Sequence, residues 1–225
     1  MLCLPHGVAV DGAGRLYIGD FGNDRVLEFD KPLSNGPMLC TGPGRCANRV
    51  FGQGGSFTAN AINNGGESAN SLWNPWGVAL DGSNRLYVAD FSNHRALEYD
   101  TPLTSATAQR VFGQSSFGGP TNCNQGMPEP SSATLCYPRW LTVDRQGNLY
   151  VSDTNNNRVL KYVNPLTNAI ADLVLGQGGP FEFNLTQCNV GPDGLCVPEG
   201  IAADASSNLY VADMSNFRVL EYYVP

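Results

Sequence analysis

Four segments of the chain repeat one pattern of apolar residues, aspartates, asparagines and arginines without a gap. They span residues 4–30, 74–100, 137–163 and 197–223. The first segment reads LPHGVAVDGAGRLYIGDFGNDRVLEFD. A unit that recurs in one register is expected to form the same local structure each time, so this repeat constrains the fold more than any other feature of the sequence.

Each copy contains three short runs that predict β-strands. In the first copy these runs are Gly7–Asp11, Arg15–Asp20 and Arg25–Asp30. β-Branched and aromatic residues alternate within them, and the intervening DGAG and FGND segments favour tight turns. A fourth run follows each of the first three copies, at residues 49–53, 110–114 and 173–177. One unit is therefore predicted to be an antiparallel sheet of four strands, named a to d in chain order.

Four-stranded units repeated along a chain predict an all-β protein of the β-propeller class. The blades begin near residues 5, 75, 138 and 198, which gives spacings of 70, 63 and 60 residues. A minimal blade needs about 40 residues, so the surplus must lie in the c–d and d–a connections. We predict that residues 1–225 form a single propeller domain with a sizeable core.

The repeat resembles the NHL repeat in the pattern P-x-G-[VI]-A-x-D followed by L-Y-[VI]-x-D-x-x-N-x-R-[VA]-L. Pro5–Leu27, Pro75–Leu97 and Pro198–Leu220 carry it, whereas the third copy has Trp140 in place of the glycine. The resemblance implies a propeller that commonly has more than four blades. It specifies function poorly, because NHL propellers include sensor domains, RNA-binding modules and a peptide-amidating lyase, and related propellers include lactonases.

We expect residues 1–225 to be part of a longer propeller. The fourth copy ends at Pro225, the counterpart of Pro32, Pro102 and Pro165, each of which precedes a connection and a d strand. The last blade is thus predicted to lack its outer strand. An arc of four blades would expose apolar faces and unpaired edges, which invite self-association. The alternatives are further blades, two arcs that join, or tight closure of four blades.

The seven cysteines favour local disulfides. Cys136 and Cys196 each stand two residues before a repeat proline and have a cysteine upstream in the same d–a loop. The predicted pairs are Cys40–Cys46, Cys123–Cys136 and Cys188–Cys196, with Cys3 left over. Disulfides would imply an extracellular or periplasmic location. Reduced cysteines in the cytosol are one alternative, and a metal site, for which Cys3 and His6 offer a single C-x-x-H pair, is another.

The residue after each repeat proline is predicted to lie at the mouth of the central channel. Strand a is innermost in a propeller blade, and the d–a and b–c turns share one face. The residues in question are His6, Trp76, Arg139 and Glu199. Equivalent places with four different chemistries are what an asymmetric ligand needs, so we predict a ligand-binding site here. Sequence drift at an exposed turn is the alternative.

Metal chemistry at this mouth is a weaker hypothesis. Pro5-His6-Gly7 resembles a P-H-G element whose histidine binds catalytic zinc in the amidating lyase, but zinc catalysis usually takes three protein ligands. Channel calcium or zinc stays an alternative to a site without a cofactor. The second histidine, His94, is predicted to be exposed in a b–c turn.

Residues that recur in every copy are predicted to be structural. The D-x-x-N-x-R turn, which is Asp20, Asn23 and Arg25 in the first copy, occurs four times, whereas a catalyst needs one site. Leu86 and Tyr87 represent the L-Y pairs that should pack between blades. The glutamines of the repeated Gly-Gln pairs should bond neighbouring backbone; they are Gln53, Gln114 and Gln177.

Composition and loop lengths favour a binding protein. A net charge of −7 with only 13 lysines and arginines argues against a nucleic-acid partner, and no apolar run reaches the ~18 residues of a membrane span. The long d–a loops are 54–73, 115–136 and 178–196. We expect a non-enzymatic, extracytoplasmic binding or scaffold propeller that presents these loops and the channel mouth to a protein or small-molecule ligand. The alternative is a metal-dependent lyase or lactonase-type hydrolase with its site at the channel.

Overall fold

The fold is all-β, as the repeat predicts. The computed structural model describes residues 1–30, 32, 47–119, 122–178, 188 and 190–223. Within these residues the strands form four separate antiparallel sheets, which are the four predicted blades. Cys40 and Cys46 lie outside the described residues.

The strands occupy the predicted places. Blade 1 contains β1 (Pro5–Val10), β2 (Leu16–Asp20), β3 (Arg25–Phe29) and β4 (Arg49–Gly52). Blade 2 contains β5 (Pro75–Leu80), β6 (Leu86–Asp90), β7 (Arg95–Tyr99) and β8 (Arg110–Phe112). Blade 3 contains β9 (Pro138–Val143), β10 (Leu149–Asp153), β11 (Arg158–Tyr162) and β12 (Leu173–Leu175). Blade 4 contains β13 (Pro198–Ala203), β14 (Leu209–Asp213) and β15 (Arg218–Tyr222).

Each complete blade is a meander in which neighbours in sequence are neighbours in the sheet. The first strands of successive blades contact one another, β1 with β5, β5 with β9 and β9 with β13. Strand a therefore lies on the inner side of the arc, where the channel is. The described part of blade 4 has three strands, which confirms the expected lack of an outer strand.

The core lies between blades, because the two residues of each L-Y pair point in opposite directions from their strand. Leu86 packs with Tyr17 and Val26 of blade 1, whereas Tyr87 packs with Leu141 and other apolar residues of blade 3. Burial of each such side chain contributes about 1.5–3 kcal/mol. The predicted role of the L-Y pairs is confirmed, and each blade is stable only against its neighbours.

The third blade keeps its first strand despite the tryptophan. Trp140 packs against the apolar cluster between blades 3 and 4, and its backbone N–H donates to the hydroxyl of Ser152 at 2.8 Å. At the equivalent place in blade 1, a Cβ on Gly7 would lie 2.5 Å from the carbonyl oxygen of Trp76. Glycine therefore allows the backbones of blades 1 and 2 to approach closely there, whereas the space between blades 3 and 4 accommodates a large side chain.

The D-x-x-N-x-R turn is a buried clamp that fixes the start of strand a. In blade 3 one carboxylate oxygen of Asp153 accepts from the backbone N–H of Cys136 at 2.6 Å. The other oxygen accepts from Asn156 and from the guanidinium of Arg158, at 2.8 and 2.7 Å. The same arrangement surrounds the aspartates of the other blades, Asp20, Asp90 and Asp213.

The clamp arginine also fastens the long d–a loop that leads into its blade. Arg158 donates to the carbonyl oxygens of Ser131 and Thr134, at 2.9 and 3.0 Å. Gln177 reaches back from strand d to the carbonyl oxygen of Asn157 at 2.6 Å, so the predicted backbone role of the repeated glutamines is confirmed. Loops and turns on this face are therefore held in place by buried, charge-assisted hydrogen bonds.

We expect Arg158→Ala to lower the free energy of unfolding by about 3–5 kcal/mol, because Asp153 would stay buried without its charge partner. Urea denaturation followed by circular dichroism measures the loss. The matched control is Arg218→Ala in blade 4, where the arginine side chain is 28% exposed, so water can take its place beside Asp213 and the loss should be smaller. Equal losses in both variants would contradict a role for burial.

A ladder of side chains at the channel mouth

The predicted site residues stand in a β-bulge at the start of strand a. The pairing of strands a and b shifts register between Pro5 and Val8 in blade 1, and between Pro75 and Val78 in blade 2. The corresponding shift occurs in blades 3 and 4. A bulge leaves residues unpaired and changes the direction of their side chains, which here follow the repeat proline.

The structure brings the four predicted residues into one continuous row. The rings of His6 and Trp76 are stacked, with centroids 4.0 Å apart and planes at 19°. The guanidinium carbon of Arg139 lies 4.8 Å from the centroid of the Trp76 ring. A nitrogen of the same guanidinium donates to a carboxylate oxygen of Glu199 in an ion pair. We call this row, one residue from each blade, the mouth ladder.

Two phenylalanines that the sequence analysis did not single out support the mouth ladder. Phe21 meets His6 and Trp76 edge-on, with centroids 4.9 and 5.2 Å apart. Phe91 lies 5.1 Å from Trp76 and 4.9 Å from the ring of Tyr137. Both follow the clamp aspartate, where the later copies have threonine and methionine. This change of residue type between copies is the sequence pattern that could have indicated a special role for the two phenylalanines.

The electrostatics of the mouth ladder differ along its length. Partial desolvation against neighbouring groups, and then the charge of Arg139, lower the pKa of the otherwise exposed His6, which favours the neutral imidazole at neutral pH. Burial also lowers the pKa of Arg139, whose guanidinium nevertheless remains charged. A cation over a tryptophan face contributes about 0.5–2 kcal/mol. The ladder therefore runs from a neutral aromatic end to a charged end at Glu199.

The expectation that His94 is exposed is wrong. It is 7% exposed, and its Nδ1 accepts a hydrogen bond from the backbone N–H of Tyr137 at 3.2 Å. Asp24 and Asn157 hold the same place in their blades and accept from Asn74 and Val197. His94 thus joins blade 2 to blade 3, and burial lowers its pKa to about 4.

The surroundings of His6 do not fit a zinc ion. Its ring contacts are Phe21 and Trp76, and the nearest charge that acts on it is the cation of Arg139, which repels a second cation. Within the residues that the structure describes, no group of three or more histidine, cysteine, aspartate or glutamate side chains is placed to hold a metal ion.

Two of the predicted disulfides are present on the face of the mouth ladder. They join Cys123 to Cys136 and Cys188 to Cys196, and each closes a d–a loop next to a repeat proline. Cys3 is exposed and has no disulfide partner among the described residues. The third predicted pair, Cys40–Cys46, lies outside the described residues.

A cavity of about 760 Å³ lies away from the mouth ladder, between the a–b turns of blades 2 and 3. Asp81, Arg85 and Asp144 are among its lining residues. Arg85 pairs with Asp81 and Asp100, at 3.0 and 2.8 Å, so the charge of this arginine is balanced within the chain. None of the predicted site residues lines it.

The fold and the mouth define a β-propeller arc with an asymmetric channel entrance. The NHL repeat model matches residues 2–29, 72–95 and 135–162, which are parts of the first three blades. The first three blades thus carry NHL repeats, as the motifs indicate, and the chain has the fold of an NHL-type propeller. No curated protein matches it.

Solved structures share the fold at low sequence identity. Virginiamycin B lyase from Staphylococcus aureus is 13% identical, with a TM-score of 0.50 over 98% of this chain and 55% of the lyase. An auxiliary nutrient binding protein from Bacteroides thetaiotaomicron is 14% identical, with a TM-score of 0.56 over 95% of this chain and 46% of that protein. The chain therefore spans about half the length of these structures, and the likeness establishes the fold alone.

We expect the free energy of unfolding of the unchanged protein to fall, relative to that of the His94→Asn variant, as the pH drops from about 6.5 to 4. The unfolded state binds a proton at His94 in this range and the folded state does not, so acid favours unfolding by up to about 3 kcal/mol. Asparagine serves as the acceptor at this place in blade 3, where it keeps the same left-handed backbone. Urea denaturation across this pH range tests the difference. Parallel curves for the two proteins would contradict it.

We expect the double variant Cys123→Ser/Cys136→Ser to lose about 3 kcal/mol of stability, because the bridge closes a loop with a sequence separation of 13. Thermal and urea denaturation measure the loss, and peptide mapping without reductant identifies the bridge. The control is Cys3→Ser, which removes the free thiol and should change neither the stability nor the bridge found by peptide mapping. Free thiols at positions 123 and 136 in the oxidised protein would refute the pairing.

Proposed function

We propose that this chain is a non-enzymatic, extracytoplasmic binding propeller whose mouth ladder contacts a protein or small-molecule ligand. The observation that carries the proposal is the continuous contact of His6, Trp76, Arg139 and Glu199 across four blades. Four unlike side chains from equivalent positions of the repeat therefore contact one another in a single row. A ligand that lies along the row meets aromatic, cationic and anionic groups in a fixed order.

The rigidity of the surroundings supports a binding role. The d–a loops beside the mouth are fastened at several points, for example by Arg95, which donates to the carbonyl oxygens of Ser71 and Phe117. Asn63 and Asn93 exchange side-chain hydrogen bonds at 2.8 Å between a loop and a b–c turn. Loops held in this way retain their shape before binding, which reduces the entropic cost of ordering them.

The proposed location and partners follow from the bridges and the charge. Disulfides persist in oxidising compartments, which supports an extracellular or periplasmic site. A net charge of −7 supports a ligand other than nucleic acid. Along the described part of the chain, no helix has the length and apolar character to cross a membrane. Self-association through the blades at either end of the arc is a further proposed interaction.

The test is a titration with three small probes that differ in charge: phenylacetate, benzamidine and N-acetylglucosamine. We expect at least one to shift the indole N–H resonance of Trp76 in ¹⁵N-labelled protein. Arg139→Ala should weaken that probe at least about tenfold, equivalent to roughly 1.4 kcal/mol, because it removes the side chain that holds Trp76 and Glu199 in one row.

The matched control is Arg145→Ala, an exposed arginine in the a–b turn of blade 3 on the opposite face. This variant should bind the probe like the unchanged protein. If no probe perturbs Trp76, or if the two arginine variants bind alike, the mouth ladder is not the binding site.

A further inference from the structure

The cavity between blades 2 and 3 has features that neither the repeat nor the mouth ladder explains. Its volume of about 760 Å³ falls within the roughly 300–1,000 Å³ of small-molecule sites. Between blades 3 and 4 the a–b turns are joined, because Ser207 donates a hydrogen bond to Gln146. The a–b turns of blades 2 and 3 line the cavity instead.

The walls of this cavity are held in place by the chain itself. Arg110 of β8 donates to the carbonyl oxygen of Leu166, in the c–d connection of blade 3, at 2.8 Å. The same connection contains a turn in which the backbone N–H of Thr167 donates to the carbonyl oxygen of Asn164 at 2.9 Å. A ligand that enters a cavity with fixed walls does not bear the entropic cost of ordering them.

The hydroxyl of Tyr87 is a hydrogen-bond donor at the cavity without a partner in the described part of the chain. Its side chain is 1% exposed, and its ring packs in the apolar cluster between blades 2 and 3. The equivalent tyrosines of the two following blades do have partners. Tyr150 donates to Asp144 at 3.1 Å, and Tyr210 donates to Glu221 at 2.9 Å. Burial raises the pKa of Tyr87, so its hydroxyl keeps its proton and can donate it to a ligand.

Arg145 supplies an unpaired cation at the rim of the same cavity. It belongs to the a–b turn of blade 3, is exposed and lines the cavity. Every other arginine that the structure describes forms an ion pair within the chain, whereas Arg145 forms none. Its guanidinium is therefore available to a negatively charged group from outside the chain.

The carboxylates at the cavity are already occupied by donors of the chain. Asp144 accepts four hydrogen bonds, two of them from Asn148. Asp81 accepts from the backbone N–H groups of Ser83 and Arg85 and from the guanidinium of Arg85. The groups left to meet a ligand are thus mainly donors, which favours a ligand rich in acceptor oxygens.

We propose that this cavity binds a sugar acid, which is a small ring that carries hydroxyl groups and one carboxylate. The carboxylate pairs with Arg145 at the rim, and a ring hydroxyl accepts the hydrogen bond of Tyr87. Val143 and Leu166 provide apolar surface for the C–H face of the ring, and Ser83 offers a further hydroxyl partner. This site is separate from the mouth ladder and does not depend on what binds there.

A titration of ¹⁵N-labelled protein with glucuronate, glucose and acetate tests the ligand class. We expect glucuronate to shift the backbone amide resonances of Gly82 and Gly147, which line the cavity, and to leave the indole N–H of Trp76 unchanged. Glucuronate should bind at least about tenfold more tightly than either other probe, because it alone carries both a carboxylate and ring hydroxyls. Unshifted glycine amides, or equal affinity for glucose or acetate, would overturn the proposal.

Substitutions test the two donors separately. Arg145→Ala should weaken glucuronate at least about tenfold, and Arg145→Lys, which keeps the charge, should retain most of the affinity. Tyr87→Phe removes only the hydroxyl and should weaken glucuronate about fivefold. Unchanged glucuronate binding in Arg145→Ala or in Tyr87→Phe would overturn the assignment of that donor.

The matched control is Tyr210→Phe, which removes the equivalent hydroxyl in blade 4 and should bind glucuronate like the unchanged protein. A loss in this control as large as that in Tyr87→Phe would show that the effect is not local and would overturn the site. Circular dichroism checks that every variant is folded before it is titrated.

Discussion

The buried clamp between aspartate, asparagine and arginine is the interaction on which the rest of the structure depends. In each blade one carboxylate holds the backbone just before the repeat proline and, with its other oxygen, the arginine that fastens the d–a loop. A buried carboxylate is costly unless it is fully paired, so the clamp permits one arrangement of turn, loop and strand start. Strand a consequently begins at the same place in all four blades.

The mouth ladder follows from this fixed starting point. Because the clamp ends at the proline and the bulge begins after it, the next side chain is directed to the channel mouth whatever its type. A regular scaffold thus allows irregular chemistry, which is why His6 and Arg139 can occupy equivalent places. Their neighbours Phe21 and Phe91 then pack against the Trp76 ring and support its contact with the cation of Arg139.

Packing between blades divides the chain into units that are complete only together. Leucine and tyrosine of one strand face opposite neighbours, so no blade has a core of its own. Stability of such arrays is a sum over neighbour interfaces, and the end blades bury less apolar surface than the interior ones. His94 is buried because it lies between two interior blades and bonds to Tyr137 of the next one, although a lone histidine in a polar turn would be expected at the surface.

The sequence by itself determined the blades, because strand periods, turn residues and the clamp motif are local and occur in four aligned copies. It also placed His6, Trp76, Arg139 and Glu199 at one mouth and paired four of the cysteines, since these depend on position within a repeat. Only the tertiary structure decided that the four mouth residues contact one another in order, that Phe21 and Phe91 flank them, and that His94 is buried. Those facts depend on the distance between strands of different blades, which packing sets and which no pattern within one repeat encodes.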